Sequence, residues 1–159
     1  MVDEYRVPKI EIPAAIRVLG GPPLSLRLFL AAQAETHSGY ERPSDLLNAP
    51  DAFLPGLNGE GHGLIIRRGA LVVVSVPASH EWGTGTVEEE AADSRPGCRI
   101  PVEVTLHDGT ALEGEVAYAM PEGRSRLIDF LNALERFLPL RDGETLHFIN
   151  KEWIVSVRS

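Results

Sequence analysis

The alternation of apolar and polar residues is clearest between positions 100 and 120. Ile100, Val102, Val104 and Leu106 alternate with Pro101, Glu103, Thr105 and His107, a period of two that predicts a strand with one buried face. Leu112, Val116, Tyr118 and Met120 continue the alternation after a turn, with Gly114 between them. Parity sets the turn. A two-residue loop on Asp108-Gly109 would oppose Leu106 to Ala111 and Val104 to Glu113, placing a charge against an apolar face. A three-residue loop, His107-Asp108-Gly109, opposes Val104 to Leu112 and Ile100 to Val116. It needs a left-handed residue, which glycine supplies cheaply.

The same pattern occurs earlier. Residues 12–32, IPAAIRVLGGPPLSLRLFLAA, lie without gaps over residues 100–120, IPVEVTLHDGTALEGEVAYAM. The shared register pairs Ile16 with Leu24 and Ile12 with Leu28, with Gly21 in the place of Gly109.

A helical period follows each strand pair. RPSDLLNAPDAFLPG (residues 42–56) and RLIDFLNALERFLPL (residues 126–140) carry Arg, Asp, Leu, Asn, Ala, Phe, Leu and Pro in the same order, 84 positions apart. In the second phrase Leu127, Phe130, Leu131, Leu134 and Leu138 fall on one helical face. Alone, that predicts a helix to about residue 138. Pro50 of the first phrase matches Leu134, however, and a proline there removes a donor and clashes with the preceding turn. Both helices are therefore expected to end near Asn48 and Asn132, each in the left-handed conformation that closes many helices. Phe53 or Phe137 would follow on a second short turn, and Ser125 is the expected N-cap.

LIIRRGALVVV (residues 64–74) lies over HFINKEWIVSV (residues 147–157), and each predicts a closing hairpin, about Arg68-Gly69 and Lys151-Glu152. The offsets of the three matches are 88, 84 and 83, so only small loop changes separate the copies. The expectation is an internal duplication in a mainly β (α+β) fold. Two β-β-α-β-β units would pack with pseudo-two-fold symmetry, barrel- or sandwich-like. Residues 1–77 form the first unit, residues 78–97 an acidic Gly/Ser/Pro-rich linker loop and residues 98–159 the second. About sixty residues bury a marginal core alone, so the units are expected to share apolar faces or pair edge strands in one compact body.

Composition adds limits. The 159 residues are 43% hydrophobic and 24% charged, enough for a packed core. A net charge of −8 opposes nucleic acid as a partner, because that affinity comes from neutralising phosphates. Cys98 is the single cysteine, which excludes an intrachain disulfide and fits a reducing compartment. MVDEYRVPKIEIP lacks the apolar stretch of a secretory signal, and no apolar run is long enough to span a bilayer. A cytoplasmic protein without membrane contact is expected.

Candidate chemistry is sparse. Arg42, Asp45 and Asn48 match Arg126, Asp129 and Asn132, spaced to share one helix face opposite the apolar one. They read either as a polar patch for a partner or as an ion pair and helix-ending Asn that fix local structure. His37, His62, His80, His107 and His147 show no metal-ligand spacing. No nucleophile motif accompanies Cys98, and the glycines of residues 56–63 lack the strand-then-helix setting of a phosphate loop. Trp82 stands alone in the acidic loop, as a core cover or an anchor for a partner.

RLIDFLN, FLPL and HFINKEWIVSV resemble a family of uncharacterised small bacterial proteins, in which an R-x-x-D-x-L-N phrase precedes a Phe-containing turn and a valine-rich closing strand. The resemblance covers residues 99–157 well and the first copy more loosely, and implies a soluble bacterial protein without an assigned activity or ligand. LIIRRGALVVV and VEVTLHDGTALEGEV resemble strands of Sm-like RNA-binding barrels, although here the helix falls between the strand pairs. Arg95-x-x-x-Arg99 resembles the arginine motif of PilZ cyclic-dinucleotide receptors, but AMPEGRSRL replaces the D-x-S-x-x-G partner motif.

The sequence therefore predicts a non-catalytic regulatory or adaptor-like binding domain whose partner is another protein, with no cofactor or metal, and leaves homo-oligomerisation open. The alternative is a small-ligand or nucleotide sensor using Arg95, Arg99, Arg124 and Arg126.

Overall fold

The computed structural model describes residues 9–32, 39–82, 98–118 and 127–159. These form ten strands of a single antiparallel sheet and three short helices. The first half contributes β1 (Lys9–Val18), β2 (Leu24–Ala31), α1 (Pro43–Leu47), β3 (Phe53–Asn58), β4 (Gly63–Arg67) and β5 (Leu71–Pro77), followed by α2 (Ser79–Trp82). The second contributes β6 (Cys98–Leu106), β7 (Ala111–Tyr118), α3 (Leu127–Leu131), β8 (Phe137–Asp142), β9 (Thr145–Asn150) and β10 (Ile154–Arg158). The mainly β expectation is met. Among the described residues no helix is long and apolar enough to cross a membrane.

Strand order across the sheet is β10-β6-β7-β8-β9-β5-β1-β2-β3-β4. Each half occupies one contiguous run, in which the last strand lies outside the first and the others follow in chain order. The ladders agree in detail. Ile12 pairs with Leu28 and Ile16 with Leu24, as Ile100 pairs with Val116 and Val104 with Leu112. Ile16 faces Val74, and Val104 faces Val157. Phe53 opposes Arg67, and Phe137 opposes Asn150. The register between β1 and β5 skips Val72, and the register between β6 and β10 skips Val155. A bulge thus falls at the same place in both halves.

The expected hairpin registers of residues 12–28 and 100–116 are those observed. At the second turn Leu106 and Thr110 bracket the three loop residues with a 2.8 Å backbone bond, and Gly109 has φ +86. In the first turn the left-handed residue is Gly20, φ +67, not Gly21. The helices end where Pro50 implies, but not in the expected conformation. Asn48 has φ −89 and ψ 2, and among the described residues no side-chain-bearing residue has positive φ. Ser125 lies outside the described residues.

Two further expectations change. Phe53 and Phe137 open strands, not turns, so each half has five strands. Pro55 and Pro139 suit those strands because they precede the short stretches that pair with β2 and β7, where no ladder bond needs their missing N–H. The segments at the end of each half are also not hairpins. A one-turn 3-10 helix, Arg68–Ala70 or Lys151–Trp153, separates their strands. Among the described residues β4 pairs only with β3, whereas β5 pairs with β1 and β9. The run LVVVSVP is buried on both faces, and a central position in the sheet is what buries it so.

The halves join where β5 meets β9, with Val74 opposite Phe148 and Val76 opposite Leu146. Two apolar cores flank this seam. One packs Ile12, Leu28, Leu47 and Leu54 with Phe137, Leu146 and Phe148 of the second half. The other packs Val104, Val116, Leu138 and Leu140 with Val72 and Val73 of the first.

Candidate functional site

A cleft of about 700 Å³ opens along this seam. One wall is α1 with its flanks, contributing Glu41, Ser44, Asp45 and Asn48, together with Glu81 of α2. The other wall comes from the second half: Phe130 of α3, Glu135, Phe137 and Pro139 of β8, Phe148 of β9, and Lys151. The lining thus combines four carboxylates with aromatic side chains.

Local chemistry positions each group. Pro43 starts α1 with its φ already near the helical value, and Asp45 Oδ2 accepts from the Arg42 backbone N–H at 2.9 Å. Asn48 caps the other end, where its Oδ1 accepts from the Phe137 backbone N–H at 3.0 Å. That bond ties the two halves together. Glu81 reaches α1, accepting from the Ser44 hydroxyl and from the Ser44 backbone N–H at 3.1 Å. Burial pushes the Glu81 carboxyl up from its ordinary pKa, and the two Ser44 bonds oppose that shift. Lys151 Nζ donates to the Ala133 carbonyl at 3.2 Å and lies 5.9 Å from the centre of the Phe130 ring. Burial lowers its pKa, opposed by the Glu135 charge. Glu41 Oε1 accepts from the Ala31 backbone N–H at 3.3 Å.

Asp45 and Asn48 meet in the cleft, and both also fix the ends of α1. Arg42 is exposed beside them. Asp129 and Asn132 are on or next to α3 and do not line the cleft; Asn132 is exposed, with its N–H bonded to the Ile128 carbonyl at 3.0 Å. Arg126, Arg95 and Arg124 lie outside the described residues. Arg99 is exposed on β6 opposite Ala117. Trp82 is the last residue of α2, and its side chain is outside what is described. Among the described residues no group of three or more His, Cys, Asp or Glu could hold a metal ion.

Glu41, Ser44, Glu81, Glu135 and Lys151 line the site but are not among the binding candidates that the sequence pattern singles out. Glu81 sits inside an acidic stretch that reads as solvated surface, and only the fold brings it to α1. Comparison with protein-family models, with curated proteins and with solved structures finds no match to this chain.

Proposed function

We propose that this chain is a non-catalytic, adaptor-like binding domain built from a duplicated five-strand module, and that the seam cleft takes a basic segment of another protein. The duplication is supported by the matched ladders and by the shared bulge at Val72 and Val155. The relation between the modules is head-to-tail, not pseudo-two-fold. A two-fold would bring β4 and β10 together just as it brings β9 and β5 together, yet those strands stand at opposite ends of the sheet.

One observation carries the binding reading. Glu41, Asp45, Glu81 and Glu135 line the cleft together with Phe130, Phe137, Pro139 and Phe148, while Lys151, the one cation among the described lining residues, donates to a backbone carbonyl. Such a site favours an arginine or lysine side chain flanked by apolar residues: the carboxylates neutralise the charge and the rings cover its stem. Asp45, Glu81, Glu41 and Lys151 are each held by a structural hydrogen bond. That fixes a recognition surface and suits proton transfer poorly.

The test is fluorescence anisotropy with a labelled peptide carrying arginine between leucines, against the same peptide with glutamate in place of arginine. The arginine peptide is expected to bind, more weakly as salt rises. Glu81→Gln with Glu135→Gln should weaken it about tenfold, roughly 1.4 kcal/mol. Equal affinity for both peptides, or for the double variant, refutes the cleft as the site.

A further inference from the structure

The two outer edges of the sheet repeat the two edges already joined at its centre. At the seam β5 pairs with β9, setting Val73 opposite Ile149, Val74 opposite Phe148 and Ser75 opposite His147. In the matched numbering β10 corresponds to β5, and β4 corresponds to β9. β4 and β10 end the strand order, so among the described residues no strand pairs with their outer sides. From this we infer that the chain assembles with further copies of itself, β10 of one molecule pairing with β4 of the next as β5 pairs with β9 within the chain. The inference rests on the duplicated-module reading and not on the cleft.

Exposed side chains mark the same edges. Phe53, Ile65 and Val155 are 52%, 74% and 67% exposed. Their counterparts Phe137, Phe148 and Val72 are 1%, 1% and 2% exposed, and all three are buried at the seam against the opposite half. Three of the large side chains left in water are thus ones whose counterparts the seam buries. The polar contacts correspond too. Asn48 accepts the Phe137 N–H across the seam. Its counterpart Asn132 is exposed and would accept the Phe53 N–H of the next molecule.

The transferred register places Val157 opposite Ile65, Ser156 opposite Ile66 and Arg158 opposite Leu64, so no like charges face each other. Neither GLIIR of β4 nor IVSVR of β10 carries the proline or lysine that commonly blunts a free edge. Because the joined surfaces differ, each added copy presents the same two edges again, until the ends meet in a ring or extend as a filament.

Light scattering coupled to size-exclusion chromatography tests this. The wild-type mass should be a multiple of the 17.3 kDa chain mass and should rise with concentration. Ile65→Lys disables the β4 edge and Val155→Lys the β10 edge, and each variant should run as a monomer with unchanged circular dichroism. Mixed in equal amounts they should form a dimer, because each retains the edge the other has lost. As a second measurement, Ile65→Cys with Val157→Cys in a Cys98→Ser background should give disulfide-linked multimers under oxidation. A wild-type monomer at every concentration overturns the inference, as do multimers that persist in both lysine variants. If either lysine variant unfolds, the disulfide experiment decides alone, and the absence of linked chains overturns the proposal. Peptide binding by the monomeric variants is independent of all these outcomes and reports only on the cleft.

Discussion

A β-carbon added to Gly114 would come 2.5 Å from the Arg141 carbonyl oxygen and 2.9 Å from Leu140 Cγ. The strands β7 and β8 cross so closely there that only a bare backbone fits. In the first half the matching crossing has the residues exchanged: Leu26 stands where Gly114 does, and Gly56 stands where Leu140 does. A β-carbon on Gly56 would lie 3.6 Å from Leu26 Cδ1, ordinary contact. One leucine and one glycine fill each crossing from opposite strands. Gly114→Ala is therefore expected to destabilise the protein by about 1–3 kcal/mol. Gly59→Ala, with no atom within 4 Å of the new carbon, should stay within about 0.5 kcal/mol of wild type. Urea unfolding of the two variants checks the contrast. Gly114 is visible in the sequence as a break in an apolar alternation, but its partner across the sheet is not. Arg68 is less legible still. It reads as a turn residue, yet it is 2% exposed, its Nη2 donates to the Leu46 carbonyl at 2.9 Å, and burial lowers its pKa. The counterpart Lys151 likewise donates to a carbonyl, that of Ala133, just beyond the end of α3. Each half thus places a cation near the C-terminus of its helix, where the helix dipole favours it.

At the scale of elements, period and parity were enough for the β1–β2 and β6–β7 hairpins, whereas the helix ends came from Pro50, since the helical period alone runs on to about residue 138. Period and parity failed for the last segments of each half, because apolar runs separated by two or three residues look like a hairpin whether or not they pair. The 3-10 turns send each last strand to the far side of its module, and nothing in local periodicity encodes that. The seam itself carries a titratable group, His147, whose Nδ1 lies 2.6 Å from Ser75 Oγ. Burial lowers the His147 pKa from its ordinary 6.5, opposed by the Asp142 charge. Below 6.5 the unfolded chain therefore binds more protons than the folded one, and this contribution to stability is lost as pH falls toward the lowered value. Glu81 acts in the opposite direction. Its carboxyl is raised, so its contribution is present at low pH and lost as pH rises above 4.5 toward the raised value. The difference between wild type and His147→Gln isolates the histidine. The variant is expected to lose less stability on acidification below pH 6.5, measured by thermal melts in a pH series. Parallel curves would show that the seam does not sense the proton.

For the whole molecule, the decisive feature is that neither half completes its own core. Phe137, Leu146 and Phe148 belong to the second half by sequence and to the first half's core by packing. Val72 and Val73 make the reverse crossing. The matching strand and helix phrases of the two halves were legible in the chain, but the order in which the halves join was not, because parity says which face of a strand is apolar and not which edge it pairs. That joining predicts how the protein unfolds. If one half opened alone it would strip the other of side chains that are 1% or 2% exposed, and a transition confined to one half would expose both cores. Unfolding should therefore be a single cooperative event. With Trp82 replaced by Phe, Trp153 is the remaining tryptophan and a suitable local probe, because its Nε1 donates to the Gly69 carbonyl across the seam at 2.9 Å. Tryptophan fluorescence and far-ultraviolet circular dichroism should give superimposable denaturant curves. Phe137→Ala should shift both together, by about 3–5 kcal/mol, although the substitution lies in one half only. A variant whose two probes separate, with one half melting first, would mean that the shared side chains do not couple the modules.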